Sequence, residues 1–464
     1  MPAVPSTSTL STSTLSTSTL STALLTDRYE LTMLEAALRS GAGHRRCVFE
    51  MFSRRLSGGR RYGVVAGTGR FLDALEQFRF HDEQLAWLDD FDVVDDTTLQ
   101  WLRDYRFSGD IDGYAEGEPF FPGSPILTVE STFAEAVLLE TLALSIFNHD
   151  SAIAAAASRM TCAAGDRPCL EMGSRRTHED AALAAARAAY IAGFASTSNL
   201  EAGRRYGVPT TGTSAHAFTL IHDDEPAAFR AQVAALGSAT TLLVDTYDVA
   251  TAVRTAVEVA GPDLGAVRID SGDLIGLARE VRGQLDSLGA HKTRIVVTSD
   301  LDEHAIATLA SAPVDGYGVG TSVVTGSGLP TASLVYKLVA RAESDQADAA
   351  WRAVTKASPG KIGHGGRKQA YRRHSPDGVA QAEIIYSGID PVRRSKSARQ
   401  RDDGERALLV PLVRGGEVVG REPLADARAR HAATRAALPP EALRLQPGGP
   451  ALDTIFVESP SHPR

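Results

Sequence analysis

The sequence predicts an α/β fold: a β/α barrel joined to a second domain. Short apolar runs at 242–245, 266–270, 295–298 and 314–318 alternate with helical patterns at 249–260, 274–288 and 303–311. Strands alternating with helices of this length imply a parallel sheet with right-handed crossovers. The runs end in Asp245-Thr-Tyr-Asp248, Arg268-Ile-Asp270-Ser-Gly-Asp273 and Tyr317-Gly318-Val-Gly320-Thr321. A β/α barrel presents functional residues in this way, at the C-terminal ends of its strands. The length of 464 residues exceeds one barrel of about 250 residues and calls for a second domain.

The elements follow in order. Residues 6–20 are Ser-Thr-Ser-Thr-Leu written three times. Without a basic start or an apolar core this is no secretory signal. It buries too little to offset its ordering entropy, so residues 1–22 are expected to be a disordered extension. Leu31, Leu34 and Leu38 give residues 26–38 one apolar face, with Thr26 or Asp27 as N-cap and Gly41 as the stop. Residues 48–52 read as a strand, followed by a basic loop with Arg54, Arg55, Arg60 and Arg61. Helices are expected at 71–78 and 82–88, and strands at 108–114 and 126–129 around a turn-rich stretch from Glu116 to Pro125.

A long apolar helical pattern spans 134–157, interrupted by Asn148, His149 and Ser151, and an Ala-rich helix spans 178–192. Residues 208–211 read as a strand leading to the Gly/Thr/Ser loop before His216. After Val339 the texture changes. Residues 342–350 read as a linker, 408–413 as a strand and 427–437 as a charged helix, with frayed residues at the end. Residues 23–130 with 345–455 are therefore expected to form one discontinuous domain, and 131–344 the barrel.

The bulk numbers narrow the function. A net charge of −9 lacks the broad basic face that nucleic-acid binding needs. No apolar run reaches the roughly 18 residues of a membrane span. Cys47, Cys162 and Cys169 show neither metal-ligand spacing nor a disulfide framework, which suits a reducing, cytoplasmic setting.

His216 can act as a base, a metal ligand or a phosphoryl acceptor. No other His or Cys stands at ligand spacing for zinc. Arg175 and Arg176 are adjacent, so on a strand only one would reach a shared ligand. Arg268 and Asp270 are two apart and share a face; an Arg fork suits a carboxylate or phosphate. Asp245, Asp270 and Asp273 can orient a ribose or a magnesium-bound diphosphate, or simply pair with the arginines. Gly318, Gly320 and Thr321 can cradle a phosphate or only make a tight turn. The six Lys and Arg residues from Lys356 to Arg373 make either a solvated loop or a lid over a diphosphate.

Together, Thr26-Asp-Arg-Tyr29-Glu-Leu-Thr-Met33, Glu171-Met-Gly-Ser-Arg-Arg176, Gly212-Thr-Ser-Ala-His216-Ala-Phe, Arg268-Ile-Asp-Ser-Gly-Asp273 and Gly318-Val-Gly-Thr321 resemble nicotinate phosphoribosyltransferases of the actinobacterial type. The resemblance covers residues 23–455. It implies the type II phosphoribosyltransferase fold, an irregular (β/α) barrel plus a discontinuous α+β sandwich-like domain from both chain ends. It implies transfer of phosphoribosyl from phosphoribosyl pyrophosphate to nicotinate, giving nicotinate mononucleotide and pyrophosphate for NAD biosynthesis. ATP is the co-substrate, coupled in ligase fashion through transient phosphorylation of His216, and Mg2+ accompanies the phosphates.

Carried over by position, Asp245 stands beside His216 and Asp270 near the ribose. Arg175 and Arg268 meet the carboxylate or phosphate. Gly318 and Gly320, with Thr321, hold the 5′-phosphate, while Arg54 and Lys361 meet the diphosphate. Tyr29 stacks on the pyridine ring from the partner of a homodimer with shared sites. Met172 stands where the family often has an aromatic residue, and Ser196 lies in the substrate segment 193–199. That segment lacks the acid of the nicotinamide enzymes, which favours nicotinate. The alternatives are a quinolinate-type or nicotinamide phosphoribosyltransferase, or a non-catalytic nucleotide-binding barrel.

Overall fold

The structure is a computed structural model that describes residues 21–356, 364–388 and 404–458. The Ser/Thr/Leu repeat and Lys361 lie outside the described residues.

Six parallel strands form the barrel sheet, in the order Ser196–Thr197, Cys169–Glu171, Gly316–Val319, Arg294–Ser299, Ala266–Ile269 and Thr241–Leu243. The helices Val249–Ala260, Leu274–Ser287 and Glu303–Leu309 fall between strands as the sequence pattern predicts. The barrel is irregular: chain 198–240 connects the two outer strands without adding a strand between them. The expected strand at 208–211 is absent. A single bridge, Thr197 to Thr210, stands in its place. Val208, Pro209 and two threonines have strand-like composition, but Pro209 cannot donate to a ladder.

A seven-stranded antiparallel sheet gathers both ends of the chain. An interior strand, Arg46–Ser53, pairs with Leu127–Thr132 on one side and Leu334–Ala342 on the other. The latter strand lies within the 131–344 segment, so the barrel segment itself supplies part of this sheet. Phe49 stacks on Tyr336 with ring centroids 4.8 Å apart. A four-stranded sheet, Glu405–Ala407, Lys368–His374, Ala380–Ser387 and Asp453–Glu458, shares this core through Ala370, Ile385 and Leu408. Residues 453–458 form a paired strand, and the last few residues beyond them lie outside the described residues.

The basic run is not a lid where it is described. Lys368 Nζ lies 2.7 Å from Glu50 and Arg372 Nη1 3.0 Å from Glu118, all buried. Arg373 pairs with Glu405 at 2.9 Å and Arg367 pairs with Glu130. These partners are far away in sequence, so composition alone reads the run as a surface loop.

Two Ala-rich helices, Glu140–Ala164 and Glu179–Ile191, pack together against the barrel. The first runs unbroken through Asn148, His149 and Ser151. Two of these polar residues are bonded from outside the helix: Asn148 Oδ1 accepts from Leu334 N at 2.8 Å, and Ser151 Oγ accepts from Ala66 N at 3.2 Å. They fasten the long helix to the sandwich. Helix Asp96–Asp104, which the hydrophobic pattern missed, is capped by Asp95 accepting from Thr98 N at 2.8 Å. Among the described residues no helix is long and apolar enough to cross a membrane.

Candidate active site

The C-terminal ends of the barrel strands bring His216, Asp245, Arg268 and Asp270 together. His216 opens the short helix His216–Leu220, and its side chain is 41% exposed. Its Nδ1 lies 3.2 Å from Thr246 Oγ1. Its Nε2 faces two carboxylates, Asp270 Oδ2 at 3.8 Å and Asp245 Oδ1 at 3.9 Å. Asp245 is buried; its Oδ2 accepts from Asp270 N at 2.8 Å and Ser271 Oγ at 3.0 Å, while Oδ1 is buried without a hydrogen-bond partner.

Arg268 Nη2 stands 3.7 Å from Asp270 Oδ1, so the two do share a face. Its Nη1 donates to Thr213 Oγ1 and, at 3.1 Å, to the Ser214 carbonyl. Asp270 Oδ1 in turn accepts from Thr298 Oγ1. Burial lowers the Arg268 pKa, Asp270 and Asp245 oppose this, and the charge of Arg175 adds to the lowering. Arg175 is thus close enough for its field to reach Arg268. Arg175 and Arg176 lie in a turn rather than on a strand, and both are exposed.

Glu171 ends its strand fully buried, and burial raises its pKa. Its oxygens accept from Gly173 N and Thr197 Oγ1. Asn199 Nδ2 donates to Ser174 Oγ at 3.1 Å. These bonds lash the loop carrying Met172 and Arg175 to the 196–199 segment. Ser196 is buried within its strand.

Gly318 lies buried in its strand. A Cβ there would clash with Thr298 Cγ2 and sit 2.8 Å from Met172 Sδ, so close packing accounts for this glycine. Gly320 precedes the short helix Thr321–Val324, and Thr321 is exposed. Arg54 is exposed in the loop after strand Arg46–Ser53. Asp273 and Asp248 cap helices, accepting from Gly276 N at 3.2 Å and Thr251 N at 2.9 Å. Among the described residues no group of three or more His, Cys, Asp or Glu is placed to hold a metal ion.

Tyr29 is 46% exposed on helix Arg28–Arg39, which packs on residues 42–44, 96–104 and 133–137. Partial burial, then Glu140, Glu30 and Asp27, push its pKa up to about 12.

This geometry can be set beside known proteins. Residues 24–148 match the family model for the nicotinate phosphoribosyltransferase (NAPRTase) N-terminal domain. Nicotinate phosphoribosyltransferase pncB1 of Mycobacterium tuberculosis is 58% identical over 440 residues, covering 93% of this chain and 94% of its own. This chain belongs to the nicotinate phosphoribosyltransferase family. The nicotinate phosphoribosyltransferase of Bacillus subtilis is 38% identical over 358 residues, covering 75% of this chain and 72% of its own. The crystal structure of human nicotinic acid phosphoribosyltransferase superposes with a TM-score of 0.78 at 26% identity, covering 93% of this chain and 97% of that one. The family's fold, an irregular barrel with a sandwich from both chain ends, is the one described above.

Four residues of the site escaped the sequence reading. Thr213 and Thr298 stood in predicted loop and strand-end positions, and Thr246 follows Asp245 directly. Glu171 opened a quoted motif without a role. Thr213 meets Arg268, Thr298 meets Asp270, Thr246 meets His216 and Glu171 meets Thr197, each from another segment, so spacing within one segment carries no signal for these contacts.

Proposed function

We propose that this chain transfers phosphoribosyl from phosphoribosyl pyrophosphate to nicotinate, with ATP hydrolysis coupled through phosphorylation of His216. The observation that carries this reading is His216, with Nε2 before Asp245 and Asp270 and Nδ1 on Thr246, one strand from Arg268.

The pyridine nitrogen lone pair forms a bond to C1 of the ribose. The C1–O bond breaks, and its electron pair leaves with pyrophosphate. The ribose becomes cationic in the transition state, and the Asp270 carboxylate favours that charge. Nicotinate attacks through a nitrogen that carries no proton, so no general base is required. Arg175 and Arg268 offer forks to the nicotinate carboxylate or a phosphate.

In the ATP half of the cycle, the γ-phosphoryl group moves to the His216 ring and ADP leaves. Water then takes the phosphoryl group as inorganic phosphate. Two carboxylates beside Nε2 favour the tautomer with its proton there, which makes Nδ1 the nucleophile once its lone pair, accepting from Thr246 Oγ1, is released to the phosphoryl group. Magnesium bound to the substrate phosphates would neutralise charge on the leaving group.

Nicotinate is favoured over nicotinamide because segment 193–199 carries no acid, and the nearby Glu171 spends both oxygens inside the protein. Quinolinate would need further cations for a second carboxylate, and Arg268 commits Nη1 to Thr213 and Ser214, which leaves Nη2 toward the site for one anion. A homodimer with shared sites is supported by the exposure of Tyr29 and of Leu200, Leu220, Ile221 and Tyr247 near the barrel mouth.

The test compares nucleotide formation from nicotinate, nicotinamide and quinolinate with phosphoribosyl pyrophosphate, ATP and magnesium. Nicotinate is expected to lead by at least about a hundredfold. Equal turnover of nicotinamide would overturn the assignment of substrate.

A further inference from the structure

We propose that Thr213 is a positioning residue whose hydroxyl ties the His216 loop to Arg268, linking ATP use at His216 to anion binding at Arg268. The proposal rests on the reaction proposed above and goes beyond it by naming how its two halves communicate.

At its two ends the loop before His216 is held by Thr211 N donating to the Thr197 carbonyl at 2.9 Å and by His216 Nδ1 lying 3.2 Å from Thr246 Oγ1; between them Arg268 supplies the tie. Residues 211–215 form no regular element, and Ala215 caps the short helix without a side-chain hydrogen bond. A Cβ on Gly212 would meet nothing within 4 Å, so the backbone there is unpacked. Against this stand two contacts from one guanidinium nitrogen: Arg268 Nη1 donates to Thr213 Oγ1 and, at 3.1 Å, to the Ser214 carbonyl. The carbonyl contact survives any side-chain change, so the Thr213 hydroxyl is the part of the tie that sequence controls.

Arg268 faces the site at the same time. Nη2 stands 3.7 Å from Asp270 Oδ1, and Nε is buried with no hydrogen-bond partner. A guanidinium is planar and rigid, so its donors cannot be re-aimed one at a time. An anion that draws Nη2 away from Asp270 rotates Nη1 as well, and Thr213 passes that rotation to the loop. His216 follows three residues later. The position of the phosphoryl acceptor thus depends on whether Arg268 holds an anion.

Thr213→Val removes the hydroxyl and keeps the β-branch; Thr213→Ser keeps the hydroxyl. The readout is the ratio of nicotinate mononucleotide formation with ATP to that without ATP, at saturating nicotinate, phosphoribosyl pyrophosphate and magnesium. Losing a hydrogen bond to a charged group predicts that Thr213→Val lowers this ratio about fivefold or more, while Thr213→Ser stays within about twofold of the parent. An unchanged ratio in Thr213→Val, or an equal fall in Thr213→Ser, overturns the tie. If the parent chain forms no nucleotide, the proposed reaction itself fails. The tie is then judged by hydrogen exchange of the amides at 212–217. Faster exchange in Thr213→Val than in Thr213→Ser supports it, and equal exchange overturns it.

Discussion

Asp245 Oδ1 is buried, has no hydrogen-bond partner and lies 3.9 Å from His216 Nε2. A buried carboxylate oxygen left open toward a histidine is costly unless the ring closes on it. Oδ2 is already fixed by Asp270 N and Ser271 Oγ, so the carboxylate plane is set before His216 moves. Asp245→Asn is expected to slow phosphoryl transfer from ATP to His216 about ten- to a hundredfold. Acid-labile phosphate bound per chain, followed in time, checks this. A wild-type rate in the variant would reduce Asp245 to a structural residue.

Gly318→Ala is expected to act on the substrate site through packing. The new methyl group presses on Thr298, which holds Asp270, and on Met172 Sδ. Overpacking of this kind costs about 1–3 kcal/mol. The expected outcome is a lower melting temperature with a raised KM for nicotinate. A changed KM for phosphoribosyl pyrophosphate alone would instead favour a direct phosphate role for Gly318.

Tyr29 is expected to work in the partner's site. Chains carrying Tyr29→Ala and chains carrying His216→Ala are each inactive in ATP-coupled turnover on this reading. Mixed under conditions of subunit exchange, they regain about a quarter of the parental activity, because half the chains fall in hybrids and each hybrid has one intact site. Exchange without any recovery contradicts the shared site.

Acid sensitivity has a source at His431. The ring is 1% exposed on helix Leu424–Ala436; Nδ1 donates to the Gly117 carbonyl at 3.3 Å, and Nε2 is buried without a partner. Burial, with the charges of Arg435 and Arg428, lowers its pKa from 6.5 to about 3. Between those values the unfolded chain binds the extra proton. The stability held by neutral His431 is therefore complete above 6.5 and is lost as pH falls toward 3, at up to about 1.4 kcal/mol per pH unit. Chemical denaturation of the parent and of His431→Phe at about pH 7.5 and about pH 5 should show the smaller acid loss in the variant. Equal losses would place the acid sensitivity elsewhere.

The barrel was legible because its strands end in charged or glycine clusters and its helices keep their period. The first helix and the strands near 48–52, 108–114, 126–129 and 408–413 were legible from their apolar patterns, whereas the strands Lys368–His374, Ala380–Ser387 and Asp453–Glu458 were not. What escaped depends on distant partners. Asn148 and Ser151 look like breaks in a helix until Leu334 and Ala66 supply their hydrogen bonds. Lys368 and Arg372 look like a solvated loop until Glu50, Glu118 and Glu383 enclose them. At the site, the Arg and Asp residues were readable from spacing. The threonines that aim them were not, since a threonine at a strand end is ordinary in any α/β protein.

The most direct measurement is nicotinate mononucleotide formation from nicotinate, phosphoribosyl pyrophosphate and magnesium, with and without ATP, for the parent chain and His216→Ala. The account predicts ATP stimulation in the parent that vanishes in the variant. Equal ATP stimulation in both chains would contradict the coupling through His216.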